Sequence, residues 1–159
     1  MRSGTLLAGL GMVGIMLCWA AYGQTSSTTP QGIPRAEREL FAAVNQARRA
    51  QGMSALRWDE SLAAAARRHA EVMLERRSAG HVFAGEPSLS MRAKQAGVHF
   101  GWLSENVMQG QSLEFIHEQF MKSALHRANI LDRDMDSIGV GVMEQGGELF
   151  VVEDFAQER

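Results

Sequence analysis

Five histidines (His69, His81, His99, His117 and His126) and Glu105 are the side chains here whose types suit metal binding or proton transfer. His117-Glu118 begins like the HExxH zinc motif, but the position of the second imidazole is Met121, so that motif is excluded. His69 falls on an apolar helical stripe and reads as a structural histidine bonded to a backbone carbonyl. His99 and His117 lack distinguishing context and read as partly exposed. Glu118 stands four residues before Lys122, the favourable orientation for an exposed helical ion pair. His81 and His126 differ, because each sits at the end of a predicted helix, where sites are commonly built. Between them Ser104-Glu105-Asn106 interrupts a largely apolar stretch, Phe100 to Met108. A carboxylate in such surroundings needs a partner, and an imidazole, protonated or metal-bound, is a natural one. His81, Glu105 and His126 therefore form a candidate shared site, with three unrelated polar residues as the plainer alternative.

Several elements must position these groups. Leu40, Val44 and Ala47, widened by Phe41, predict a helix from near Arg35 to a stop at Gly52. Asp59 predicts the N-cap of a second helix with Leu62, Ala66, His69 and Met73 on one face. Arg76 and Arg77 fall in its last turn, and Gly80 is its predicted stop. Pro87 suits the first turn of a short third helix ending at Gly97. Ser112 predicts the cap of a fourth, burying Leu113, Ile116, Phe120 and Ala124. The period then changes to two: Ile138, Val140 and Val142 alternate with Gly139, Gly141 and Met143. Gln145-Gly146-Gly147 makes a turn, and Leu149 to Phe155 returns as a partner strand. The glycine face implies close packing by another element. A further strand is expected around Val98 to Val107. Helices followed by a hairpin imply an α+β body.

The chain of 159 residues has room for one domain. Its net charge of -2 offers no basic surplus for nucleic acid. One cysteine excludes a disulfide scaffold, a zinc ribbon and a CxxC redox site. Residues 1–23 read as a signal peptide: Arg2, an uncharged apolar run from Thr5 to Ala21, then Ala21 and Gly23 before a cut at Gln24. The run is marginal as a permanent anchor, since a span needs roughly 20 apolar residues. Leu17 is too bulky to precede a lipidated Cys18. Residues 24–36 read as a disordered linker and 37–157 as the folded domain, with no membrane span after cleavage and no nucleic-acid partner.

The order of these segments resembles the CAP superfamily (cysteine-rich secretory proteins, antigen 5 and pathogenesis-related proteins), in its bacterial, cysteine-poor secreted branch. The resemblance is carried by Val44-Asn45-x-x-Arg48, Leu56-Arg57-Trp58-Asp59, Ala66-x-x-His69-Ala70-x-x-Met73, His81, Ser104-Glu105-Asn106 and Ser123-x-x-His126-Arg127-Ala128-Asn129-Ile130-Leu131. Gly139-Val140-Gly141-Val142 and Asp154-Phe155 complete it. It implies a three-layer α-β-α sandwich and a shallow cleft of two histidines and acids that binds a divalent cation such as zinc in some relatives. Carried over by position, the cleft comprises His81, Glu105, Asn106, Ser123 and His126, with His81 and His126 as the metal ligands. The family's second glutamate has no counterpart that can be placed; Ser123 stands near its position. Ser104, Phe120, Ala124-Leu125 and Val152-Glu153 depart from the family's common Gly, Trp, Pro-Gly and Thr-Gln.

The resemblance implies a secreted or cell-envelope (periplasmic) module that binds a ligand, a lipid or an extracellular protein, with Glu105 as a third ligand to a zinc ion or as a hydrogen-bond acceptor behind one. The alternative is a metal-assisted hydrolase of peptide or cell-wall material, with Glu105 catalytic; two histidines and one carboxylate leave either a ligand or a base missing. Ser123 and His126, three residues apart, read as a helix-end contact and not as a serine-hydrolase pair. The purely structural reading makes His81, Glu105 and His126 a polar network tying layers together. In it Arg127 and Asn129 satisfy carbonyls near the hairpin, and Asn106 stabilises a turn bearing Glu105.

Overall fold

Apart from Met1, the computed structural model describes residues 34–158, so the signal segment and nearly all of the linker lie outside the described residues. Helix α1 (Arg35–Ala50) follows Pro34 and ends at Gln51, before Gly52 in the left-handed region (φ 66°). Its buried stripe contains Leu40 and Val44, but also Asn45 and Arg48. These two polar side chains organise the segment that follows. Asn45 donates to the Leu56 carbonyl at 3.1 Å and accepts from the Leu56 amide at 2.7 Å, imitating a strand partner. Arg48 donates to the carbonyls of Ser54, Ile130 and Asp132 at 2.7–2.9 Å. The two-residue strand β1 (Arg57–Trp58) is thereby delivered to the sheet, where it pairs parallel with β3. No pattern in two residues predicts such a strand.

Asp59 caps α2 (Glu60–Arg76) as its type and position predict, its Oδ1 accepting from Ser61 and Leu62. The helix stops earlier than Gly80. Arg77 takes left-handed backbone (φ 50°), and the Ser78 amide returns to the Met73 carbonyl, so hydrogen bonds close this end without a glycine. Helix α3 (Leu89–Gln95) follows Ser88, whose side chain makes no capping bond, and Pro87 stands just outside it instead of in its first turn.

The sheet has order β1-β3-β4-β2. Strands β3 (Ser137–Gln145) and β4 (Glu148–Gln157) form an antiparallel hairpin across Gly146 and Gly147 (φ 65° and 82°). Strand β2 (Trp102–Gly110) pairs antiparallel with β4 and begins four residues later than expected; Val98 instead packs among Leu62, Ala93 and Ala156. Gly139 and Gly141 admit α2: an added Cβ would lie 2.1 Å from the Ala63 nitrogen or 2.4 Å from the Ala66 carbonyl carbon.

Ser112 caps α4 (Leu113–Lys122), accepting from the Phe115 amide. The predicted burial of Ala124 on α4 fails. Ser123 is extended (ψ 124°), closes α4 and caps a separate α5 (Ala124–Ile130), leaving Ala124 exposed and His126 in the first turn of the new helix. The core has two sides. Ile138, Val140, Val151 and Phe155 meet α1, α4 and α5, while Val107, Phe150 and Val152 meet α2, with α3 beside it. The fold is the expected three-layer α-β-α sandwich of α+β class.

Candidate functional site

The loop after α2 carries His81, and His69 holds that loop in place. His69 is fully buried, with Nε2 2.8 Å from the Gly80 carbonyl oxygen and Nδ1 2.5 Å from Glu86 Oε1. The expected carbonyl partner is present, together with a carboxylate. Glu86 Oε2 accepts from the Phe83 amide at 3.1 Å, which closes the loop on itself.

His81 is thus presented to β2. Its Nδ1 lies 2.8 Å from Glu105 Oε1; the imidazole side chain is 60% exposed and the carboxylate side chain 3%. The hydrogen bond to Glu105 raises the His81 pKa above the usual histidine value, with burial opposing. Glu105 Oε2 is paired with Arg92, a buried α3 residue whose Nη1 also donates to the carbonyls of His81 (3.2 Å) and Pro87 (3.1 Å). Both Glu105 oxygens are therefore engaged.

Strand alternation sends the next residue to the opposite layer. Asn106 lies on a strand, not in a turn, and faces α5. Its amide donates to the His126 carbonyl at 3.2 Å and to Glu153 Oε2 at 3.1 Å, and its Oδ1 accepts from Asn129 at 2.9 Å. Asn129 also donates to the Glu105 carbonyl at 3.3 Å. The carbonyl served by Asn129 thus belongs to β2, and Arg127 reaches the Met121 carbonyl of α4 at 3.3 Å; neither reaches the hairpin. The His126 ring stands edge-on to Phe120, with centroids 5.1 Å apart. Its pKa is lowered, first by burial and then by the charge of His81, so the two imidazoles share one electrostatic neighbourhood. Ser123 Oγ accepts from the His126 amide at 3.5 Å, the helix-end contact its spacing implies. The exposed Glu118–Lys122 pair forms at 2.6 Å.

The structure joins His81 to Glu105 directly and Asn106 to the His126 backbone, while Ser123 acts only through the cap of α5. Sequence reasoning missed Arg92, Glu86, Glu153 and the burial of Asp154. Polar residues at positions whose alternation is otherwise apolar were the available signal for Glu153 and Asp154. Nothing in the spacing marks Arg92.

Zinc can be tested against these donors. Among the described residues no three or more His, Cys, Asp or Glu are grouped to hold a metal. With Glu105 engaged by His81 and Arg92, the open nitrogens are those of two imidazoles. Such a set suits a cation with most of its coordination sphere left to solvent or ligand, not a closed four-ligand zinc site.

The α-β-α sandwich thus carries an exposed histidine tethered to a buried glutamate, and a second histidine in the first turn of α5. Residues 41–155 match the model of the cysteine-rich secretory protein family, CAP, and the chain belongs to this family. It is 29% identical over 123 residues to the uncharacterised Bacillus subtilis (strain 168) protein YkwD, covering 77% of this chain and 48% of YkwD. An extracellular SCP-domain protein of Bacillus anthracis str. Ames shares the fold with TM-score 0.72 at 22% identity, over 77% of this chain and 40% of that one. An outer surface protein of Borrelia burgdorferi does so at TM-score 0.72 and 19% identity, over 78% of this chain and 93% of that one. The chain thus spans about half of YkwD and two fifths of the anthracis protein. A more distant fold relative, NaASP2 (TM-score 0.56, 14% identity, covering 81% of this chain and 83% of that one), was crystallised with Zn2+. Among the described residues no helix is long and apolar enough to cross a membrane.

Proposed function

We propose that this CAP-domain protein is an exported binding module whose cleft, between His81 and His126, takes a divalent cation such as zinc together with a further ligand. The observation that carries the reading is the 2.8 Å contact between His81 Nδ1 and Glu105. A carboxylate on one ring nitrogen fixes the tautomer and leaves the other nitrogen as the metal donor, the usual arrangement behind metal-bound histidine. Glu105 then serves as an acceptor behind the cleft and not as a ligand. With both oxygens engaged it is also poorly placed as a general base, which favours binding over hydrolysis of peptide or cell-wall material. Export is supported by the signal-like residues 1–23 and by fold relatives described as extracellular or outer surface proteins.

A calorimetric zinc titration of the protein at neutral pH, beside the His81→Ala/His126→Ala double variant, tests this. Stoichiometric binding that disappears in a folded double variant is expected. Absence of binding by the folded parent would remove the cation from the reading. Intact-mass analysis of the exported protein should find an amino terminus at Gln24.

A further inference from the structure

Arg92 touches both halves of the His81–Glu105 pair. One arm of its guanidinium, Nη1, donates to the His81 carbonyl at 3.2 Å; the other, Nη2, is paired with Glu105 Oε2. The same Nη1 reaches the Pro87 carbonyl at 3.1 Å and lies 3.5 Å from Glu86 Oε1. A single planar fork therefore fixes the backbone that bears the imidazole and the carboxylate that orients it. Resting on the binding reading above, we propose that Arg92 is the positioning residue of the cleft: it occupies one Glu105 oxygen, so that the other is left to hold His81 Nδ1–H and the free ring nitrogen is turned outward.

The charge distribution explains why the position calls for arginine. Glu105 and Asp154 are buried around it, with the largely covered Glu86 side chain beside them, and Asp154 stands directly opposite Glu105 in the β2–β4 register. Without Arg92, Glu105 would keep its contact with His81 and the 3.8 Å approach of His69 Nε2, but lose the guanidinium that balances its burial. Its carboxyl is then free to rotate and exchange oxygens, and His81 would lose its fixed acceptor. A lysine would bring the charge but not the fork, so it could not reach the His81 carbonyl and Glu105 in the same fixed geometry. His69 and Glu86 stand one step further back: they shape the loop, whereas Arg92 joins the loop to β2.

The test follows the His81 imidazole nitrogens by 15N NMR in the metal-free full chain, at a pH above the end of the observed His81 titration, in the parent, Arg92→Lys and Arg92→Met. The parent is expected to show one tautomer, protonated at Nδ1. Both variants should show a mixture at His81, with the exposed His99 unchanged as an internal reference, and zinc affinity lower by about 10–100-fold, the range for lost partners of a metal-bound histidine. Should Arg92→Met fail to fold, Arg92→Lys carries the test, since it keeps the charge and the volume. A variant that melts earlier but keeps the parental His81 signature would overturn the proposal, reducing Arg92 to a tie between layers. If the parent binds no zinc while the His81 signature still responds to Arg92, the positioning role stands and the cation reading alone fails.

Discussion

Glu153 and Asp154 are neighbours on β4, both fully buried, and their carboxyls enter opposite layers: Glu153 meets Asn106 on the α5 side, while Asp154 lies in register with Glu105 on the other. Neither is well provided for. Glu153 Oε1 and both Asp154 oxygens have no hydrogen-bond partner among the described residues. Burial pushes Glu153 up to about 8, against the Asn106 hydrogen bond. Burial first, then the charge of Glu105, push Asp154 well above the carboxylate range, with Arg92 opposing.

An acid whose folded pKa is raised keeps its full contribution to stability below its unfolded pKa and loses it as pH rises to the folded one. For Glu153 the loss begins near 4.5 and is complete just above about 8. Glu153→Gln keeps the shape and removes the ionisation. Its unfolding free energy should therefore fall less than the parent's across that window, by on the order of a few kcal/mol. Asp154→Asn should act in the same direction. Chemical denaturation at pH 5, 7 and 9 decides it; parallel pH profiles for parent and variants would mean that these carboxyls ionise freely.

The two proposed ligands are shifted in opposite directions, His81 up and His126 down. A cation must displace the proton from His81, whereas His126 is already neutral at lower pH. Zinc affinity should therefore increase with pH by up to about tenfold per unit until His81 has titrated, then level off. Calorimetry in buffers of different ionisation enthalpy should show proton release on zinc binding that shrinks as pH rises through the His81 titration. Affinity that does not change between pH 6 and 8 would exclude His81 as the competing group.

The fold was legible where one local rule decides. Asp59 and Ser112 cap their helices, and the Gly139/Gly141 face receives α2, because each depends on a single residue type meeting one backbone need. The break at Ser123 was hidden because Leu113, Ile116, Phe120 and Ala124 keep helical spacing through it; a hydroxyl cap, not the apolar stripe, divides α4 from α5. Strand β1 is held by Asn45, eleven residues before Leu56, and has no period of its own. The candidate site was half legible. Residue types marked His81 and Glu105, but the pairing of Glu105 with Arg92, thirteen residues apart, depends on how α3 docks beside β2. Alternation indicates which residues share a face, not which guanidinium reaches which carboxylate.

Gly139 supplies a sharp packing test. Its absent side chain lets the α2 backbone approach so closely that a Cβ would overlap the Ala63 nitrogen at 2.1 Å and the Leu62 carbonyl carbon at 2.3 Å. These are backbone atoms and cannot rotate aside. Gly139→Ala should cost at least about 3 kcal/mol, the upper end for overpacking, or prevent folding. Equilibrium denaturation measures it, and a loss below about 1 kcal/mol would show that α2 can lift from the sheet at little cost.

Two contacts hold the start of α5, and they should differ in weight. The Ser123 cap is long, at 3.5 Å, and Ser123→Ala should cost about 0.5–1 kcal/mol, the lower part of the range for a lost N-cap. Asn106 instead joins three elements: it donates to the His126 carbonyl and to Glu153, and accepts from Asn129. Asn106→Ala leaves Asn129 without its 2.9 Å partner and strips Glu153 of the only donor it has among the described residues, in a fully buried position. Orphaning the buried Glu153 carboxyl costs about 1–3 kcal/mol, and half-buried Asn129, which keeps the Glu105 carbonyl, adds less, so the total should reach about 2–4 kcal/mol and grow with pH as Glu153 ionises. On the proposed cation site, zinc affinity should fall with it, because Asn106 makes two of the contacts that pin α5 to β2, to the His126 carbonyl and from Asn129. Equal losses for Ser123→Ala and Asn106→Ala would contradict this ranking and place the control of His126 in the helix cap.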